Sequence, residues 1–327
     1  MEKINWGIIG CGDVTEIKSG PAFNKVKNSS LVAVMRRNGD KAKDYAQRHN
    51  VSKWYDDAEQ LINDREVNAI YIATPPSSHE LYTINALKAG KPVYVEKPMT
   101  VNFTSAIKMM NASKVLNVKM SIAHYRRAQP YFKKIKQLIE EKSIGEIRFV
   151  NLNFYKKLFS EEELKAPGNA WRVDAEIAGG GLFHDLAPHQ LDLMYYFFGG
   201  FDKISGIALN QSHLYTTADL VTGNILFKSG IVFNGIWSFN VDKQNEKDSC
   251  EIIGSEGKII FSVFGKQDIA IIKNEETEII SFDPPKHVQQ PMIEKVVEYF
   301  LGEGHNPCSA EDGAQVMLMI DKFTGSI

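Results

Sequence analysis

Several things are scarce in this chain, and each scarcity removes a class of protein. Cysteine occurs only as Cys11, Cys250 and Cys308, with no CxxC pair, which excludes a disulfide framework and a cysteine-zinc site. The formal net charge is only −2, with Lys and Glu intermixed, so there is no basic stripe for nucleic acid or a membrane surface. No apolar run approaches bilayer-spanning length. Met1-Glu2-Lys3 leads straight into an apolar run, so no signal peptide is expected and a reducing, cytoplasmic setting fits. Repeats and low-complexity tracts are lacking as well. What remains is 327 residues at 43% hydrophobic and 24% charged, an ordinary globular composition with length for two domains.

One stretch organises the rest. Val93-Tyr94-Val95 reads as a strand that stops at Glu96-Lys97-Pro98. Pro98 restricts Lys97 to extended or turn backbone, so an ammonium sits at the carboxyl end of a strand, where open parallel sheets bind ligands. A lone strand-end lysine is ordinarily a solvated charge. The surrounding pattern argues otherwise.

Ahead of it lies an alternation of strands and helices. The run Ile4 to Ile9 is followed by Gly10-Cys11-Gly12-Asp13-Val14-Thr15, a GxGxx loop with Thr at the third small position. Gly10 allows a tight turn, and Gly12 lets backbone approach a pyrophosphate at the next helix start. Cys11 reads as a small buried filler, since no base accompanies it. Strands at 31–35, around Trp54 and at 69–73 alternate with helices at 40–50, 58–63 and 78–89, which predicts a doubly wound parallel sheet of Rossmann type. Strand two ends in Arg36-Arg37-Asn38, without the acid that ordinarily bonds a ribose 2′-hydroxyl. Two guanidinium groups suit a 2′-phosphate, so NADP is expected ahead of NAD. The plainer reading is a solvated loop. Strand four ends in Ala73-Thr74-Pro75-Pro76-Ser77-Ser78-His79. Thr74, Pro75 and Pro76 would flank the dinucleotide, Ser78 would cap the next helix, and His79 is structural or functional on equal terms.

Taken together, Gly10-Cys11-Gly12, Arg36-Arg37, Ala73 through His79 and Glu96-Lys97-Pro98 resemble the glucose-fructose oxidoreductase / inositol dehydrogenase (Gfo/Idh/MocA) family, in order and spacing over essentially the whole chain. The resemblance implies a catalytic Lys97 near nicotinamide and a substrate hydroxyl, with Glu96 at the cofactor's ribose. Thr15 departs from the family's usual Ala.

Beyond it, Val101–Asn117 predicts a helix and Met120–Ala123 a last parallel strand. Tyr125 and Arg126 follow at its end; the resemblance makes them substrate contacts, while their own chemistry equally fits an exposed linker. Pro130–Lys142 is helical in period and Ile147–Phe154 alternates as a strand. Lys156–Asn169 reads as a charged loop, then Trp171-Arg172. An arginine there is usually a surface charge; the resemblance gives the pair a place over cofactor and substrate. In Gly179-Gly180-Gly181-Leu182-Phe183-His184-Asp185-Leu186-Ala187-Pro188-His189-Gln190-Leu191-Asp192, Asp185, His189 and Asp192 share one helical face. Carboxylates a turn away on each side can tune an imidazole. A buried structural histidine and a metal triplet are the other readings. By the resemblance, Asp185 and His189 belong to the substrate site, His189 accepts the proton, and no metal is needed.

Short alternating strands from Ile204 onward predict a large, mostly antiparallel open sheet, with helices near 293–301 and 310–323. The expectation is an α/β chain with a dinucleotide-binding domain at 1–123 and an α+β substrate and oligomerisation domain at 124–327, its last helix able to pack back on the first. A homodimer or homotetramer would cover the open sheet face. The activity expected is hydride transfer between nicotinamide and a sugar, polyol or related hydroxy compound. The alternatives are a redox-assisted glycosidase or epimerase with tightly held NAD, and a nucleotide-sensing regulator.

Overall fold

The apolar run Ile4–Ile9 forms strand β1, buried along almost its whole length at the middle of a six-stranded sheet. In the computed structural model, which describes residues 2–326, the elements that follow are α1 (Asp13–Ile17), α2 (Gly20–Phe23), β2 (Ser29–Met35), α3 (Gly39–Arg48), β3 (Lys53–Tyr55), α4 (Ala58–Asn63), β4 (Ala69–Ile72), α5 (His79–Lys88), β5 (Val93–Val95), α6 (Phe103–Leu116) and β6 (Met120–Ile122). All six strands run parallel in the order β3-β2-β1-β4-β5-β6. This is a doubly wound sheet whose order reverses at β1/β4, the place where such sheets bind ligands. Buried on both faces, β4 and β5 are continuous apolar runs, as parallel strands require.

Side-chain caps start the helices where the chain supplies them. Asn38 accepts from Lys41 at the head of α3, and Asn102 accepts from Ser105 at the head of α6. Ser78 does not cap α5, contrary to expectation: its hydroxyl donates to Thr74 Oγ1 at 2.8 Å and Pro75 O at 3.0 Å. A short 3₁₀ turn at Pro76–Ser78 precedes the helix and takes that place. Helix α1 is held to α3 by Tyr45, whose hydroxyl donates to Thr15 O at 2.8 Å, and by Arg48, which donates twice to Glu16 at 2.8 Å. The Arg48 guanidinium and His49 hold Glu16 down at about 2.

The chain through Gln129 forms one compact unit with Pro285–Gln315; Pro130–Pro284 forms a second with the residues from Val316 on. The second unit holds α7 (Pro130–Glu140), β7 (Ile147–Lys157), α8 (Glu161–Lys165), α9 (Pro167–Ala170), α10 (Ala175–Ala178), α11 (Gly181–Phe198), β8 (Phe201–Leu209), β9 (Leu220–Phe227), β10 (Val232–Val241), β11 (Lys247–Gly254), β12 (Lys258–Phe261), β13 (Asp268–Lys273) and β14 (Glu276–Ser281). Helix α12 (Gln290–Leu301) lies in the first unit, and α13 (Ala310–Thr324) is divided at Gln315. The eight strands form one sheet, β14-β13-β12-β11-β7-β10-β9-β8, antiparallel except where β7 lies beside β10. Two strands, β13 and β14, were not anticipated; β14 has no buried residue to give it an alternating pattern.

The stretch read as a charged loop is instead a run of short helical turns, α8, α9, a 3₁₀ turn at Trp171–Val173, and α10. A capping box starts it, Ser160 accepting from Glu163 N while Glu163 accepts from Ser160 N.

Three glycines then lead into α11, each for its own reason. Gly179 and Gly181 have φ of +86° and +77°, which side chains disfavour. At Gly180 an added Cβ would lie 2.1 Å from the His184 ring, and at Gly181 2.1 Å from Thr217 Oγ1. Gly181→Ala therefore combines backbone strain with overpacking, and we expect a loss of about 2–4 kcal/mol. Thr217→Ala should recover part of the steric cost, since the Thr217 Cβ would still lie 2.6 Å from the added group, and leave the backbone part, a coupling readable from urea unfolding of the two single variants and the double variant.

Candidate active site

On the first unit, Gly10 (φ +95°) draws three strand ends together. An added Cβ there would lie 2.8 Å from Thr74 N, and the Gly10 and Cys11 amides both donate to Met35 O, at 2.9 and 3.1 Å. Gly12 is different: a Cβ there would meet only Gly10 O, at 3.9 Å. Backbone at the head of α1 is thus open to a close-approaching ligand. Thr15 is accommodated because its hydroxyl donates to Gly12 O at 2.7 Å. Cys11 is buried and pushed up to about 11 by that burial, so it is no nucleophile. Asp13 is exposed and Val14 half-buried. Arg36 Nη1 donates to Cys11 O at 3.4 Å, while Arg37 is exposed. An open Gly12 beside the Arg36 guanidinium fits an anionic dinucleotide.

His79 is fully buried. Nε2 lies 2.7 Å from Thr74 O, and Nδ1 lies 3.1 and 3.3 Å from Pro98 O and Met99 O. It ties the loop after β4 to the loop after β5, and burial pushes its pKa below the ordinary histidine value. Pro76 is buried beside it and Thr74 and Pro75 are half-buried.

Glu96, at the end of β5, is buried, yet its carboxylate is well satisfied. Tyr71 Oη donates to Oε1 at 2.5 Å, Gln289 Nε2 to Oε1 at 2.6 Å, and the Lys97 amide to Oε2 at 3.1 Å. Lys97, half-buried, precedes Pro98 across a cis peptide bond. His124 closes β6 and is buried; burial first, then the charges of Arg127 and Lys97, push it well below the ordinary histidine range. Tyr125 and Arg126 are buried too, the guanidinium 5.5 Å from the Tyr125 ring centre. They are not exposed linker residues.

On the second unit, Trp171 and Arg172 share a 3₁₀ turn. The Arg172 guanidinium lies 4.8 Å from the Trp171 ring centre, and its Nε donates to Asp185 Oδ2 at 3.0 Å. Asp185 is half-buried; His189 and Asp192, further along α11, are buried. His189 meets the edge of Phe264 at 5.4 Å between ring centres. On the next residue, Gln190 Oε1 accepts from Trp237 Nε1 at 2.6 Å. Pro188 lies inside α11 and supplies no amide to the carbonyl a turn before it. Burial pushes His184 down to about 4, so its imidazole is neutral over the physiological range. Among the described residues, no group of three His, Cys, Asp or Glu is placed to hold a metal ion, and no helix is long and apolar enough to cross a membrane.

Residue reasoning missed Tyr71 and Gln289, the side chains that hold Glu96. Tyr71 lies inside an apolar strand and Gln289 stands 193 positions from its partner, so nothing in either neighbourhood announces the bond.

Comparison with known proteins bears directly on this arrangement. Residues 4–124 match the family model described as an oxidoreductase family with an NAD-binding Rossmann fold, and residues 132–260 match the Gfo/Idh/MocA C-terminal domain. A protein of Formosa agariphila named as an oxidoreductase is 47% identical over 99% of both chains. The 1,5-anhydro-D-fructose reductase of Ensifer adhaerens is 23% identical over 94% of this chain and 91% of its own. The fold is shared with levoglucosan dehydrogenase bound to NADH and levoglucosan (TM-score 0.84, 22% identity, covering 98% and 96% of the two chains) and with the aldose-aldose oxidoreductase of Caulobacter crescentus (TM-score 0.86, 21% identity, 98% and 96%). The parallel sheet with its open glycine loop, the Glu96-Lys97-Pro98 strand end and the antiparallel second unit have one common explanation: the chain belongs to the Gfo/Idh/MocA family of NAD-binding oxidoreductases.

Proposed function

We propose that this protein is an NADP-preferring dehydrogenase or reductase acting on the CH–OH group of a sugar, polyol or related hydroxy compound. Relatives named as reductases and inositol dehydrogenases support the substrate class. The observation that carries the reading is Lys97, its backbone bracketed by a buried, triply bonded carboxylate at a strand end of the nucleotide-binding sheet. When bound, nicotinamide supplies a hydride acceptor or donor at its C4. Lys97 would polarise and orient the substrate oxygen, and His189 would take or return its proton. Arg172, already paired with Asp185, would keep that carboxylate in place to accept from a second hydroxyl. Trp171, Tyr125 and Arg126 would line the cofactor and substrate, and Glu96 would face the ribose.

The preference for NADP rests on Arg36 and Arg37 at the end of β2, where an acid would favour NAD. Arg36 also spans the glycine loop through Cys11 O, a position from which it could reach a 2′-phosphate. We propose in addition that the outer sheet face covers a second copy. Ile207, Leu209 and Ile236 are 60%, 47% and 38% exposed on it, beside a row of asparagines in which Asn224 donates to Asn234 and Asn234 to Asn151. Sedimentation at micromolar concentration should show a dimer or tetramer, and a monomer would remove that part of the reading.

Three measurements test the chemistry. Fluorescence titration should show NADPH binding more tightly than NADH, and Arg36→Asp should reduce that preference about tenfold, the scale of one charge-assisted contact. Equal affinities in the unaltered protein would sink the NADP assignment. Across a panel of sugars and polyols followed by nicotinamide absorbance, Lys97→Met should lower turnover by roughly two to four powers of ten with cofactor affinity retained. Oxidation should rise with pH over the neutral range as His189 loses its proton. Burial moves the titrations of His79, His124 and His184 to lower pH, so His189→Ala should flatten that limb. A limb that survives the substitution assigns the proton elsewhere.

A further inference from the structure

We infer that Gln289 is a positioning residue for Lys97, acting through Glu96. The inference rests on the reading of Lys97 as the group that meets the substrate oxygen. The geometry is that of a two-point clamp. A carboxylate held by one donor can pivot about that bond. Here Oε1 takes two, from Tyr71 at 2.5 Å and Gln289 at 2.6 Å, and so presents Oε2 to the Lys97 amide. Gln289 is 0% exposed. Because a carboxylate only accepts, the amide must turn its nitrogen toward Glu96.

Gln289 is itself seated by a strap running from Pro285 into α12. Its backbone amide donates to Lys18 O at 3.2 Å, and the preceding carbonyl, Val288 O, accepts from Gln129 Nε2 at 3.0 Å. Two residues earlier, His287 bridges Ile17 O at 2.6 Å and Lys25 Nζ at 2.7 Å. The strap therefore fixes the amide against α1 and α2 before it reaches Glu96. A glutamine that only filled space would need neither the seating nor the short bond to a buried carboxylate.

The test reads the Lys97 peptide directly. In full-length protein labelled with ¹⁵N-lysine, the Lys97 amide resonance is assigned by its loss in Lys97→Met. Gln289→Leu should move that resonance upfield, as its hydrogen bond to Glu96 weakens. It should also lower kcat about tenfold to a hundredfold, the range for outer groups that orient an active one, with the polyol KM and NADPH affinity little changed. Gln289→Glu sets two carboxyls face to face, which must share a proton. At low pH the shared proton keeps the clamp and the resonance stays near its original position. As pH rises the proton is lost, the carboxylates repel, and both the resonance and kcat should depart, giving a pH limb absent from the unaltered protein. Should Gln289→Leu fail to fold, Gln289→Glu carries the same test through the change in resonance and kcat as the pH rises. A Lys97 resonance unmoved in both variants, with Lys97→Met still inactive, overturns the positioning alone. An active Lys97→Met overturns instead the reading on which it rests.

Discussion

A buried carboxylate is costly unless donors replace the water it gives up, and Glu96 meets that requirement in a way that shapes everything around it. One donor comes from the neighbouring strand β4, one from a segment nearly two hundred positions later, and one from the next peptide along. Truncating the side chain, as in Glu96→Ala, would leave Tyr71 and Gln289 as buried groups lacking this acceptor, a penalty of about 1–3 kcal/mol for each. His79 repeats the device nearby, lying between carbonyls on both sides of its ring and joining the loops after β4 and β5. The strand end that presents Lys97 is thus fixed by polar groups satisfied within the unit, in the manner expected where a side chain must be held to a fraction of an ångström.

Helix α11 follows the opposite economy. It is buried nearly all round, so Asp185, His189 and Asp192 sit, with His184 and Gln190, on an element that is otherwise mostly apolar. The glycine run makes that burial geometrically attainable, by letting the His184 ring and Thr217 close over the helix start. Arg172 supplies a countercharge to Asp185 from a 3₁₀ turn, and its guanidinium is steadied by the Trp171 face. Polar groups retained at such a cost on a packed helix are more readily explained by chemistry than by stability.

Most of the fold could be read from the chain because its signals are local. Apolar strands that stop at GxG, at Thr-Pro-Pro and at Glu-Lys-Pro announce a parallel sheet and its ligand edge. The spacing of Asp185, His189 and Asp192 announces one helix face. The signals that failed were non-local or masked. Gln289 and Tyr71 acquire meaning only when the chain folds back. Strand β14 buries nothing, so no alternation betrays it. The turns between Ser160 and Ala178 are too short for a period to show, although Ser160 and Glu163 form a capping box that the residues spell out. Ser78 illustrates competition: a hydroxyl suited to cap a helix is taken first by Thr74 and the Pro75 carbonyl.

Charge balance around the clamp supplies a last consequence. Near Lys97 the cation Arg127 is paired with Asp312 at 3.1 Å, and the Glu96 carboxylate accepts hydrogen bonds from Tyr71 and Gln289. His124 stands among these groups, and taking up a proton there would add a positive charge in a buried place beside Arg127 and Lys97. Burial and both charges oppose it, with only Asp312 in favour. At His79 burial also lowers the pKa, although the carbonyls of Thr74, Met99 and Pro98 favour its cation, and Lys97 adds a smaller opposition. Burial thus works at both rings against a further positive charge beside Lys97.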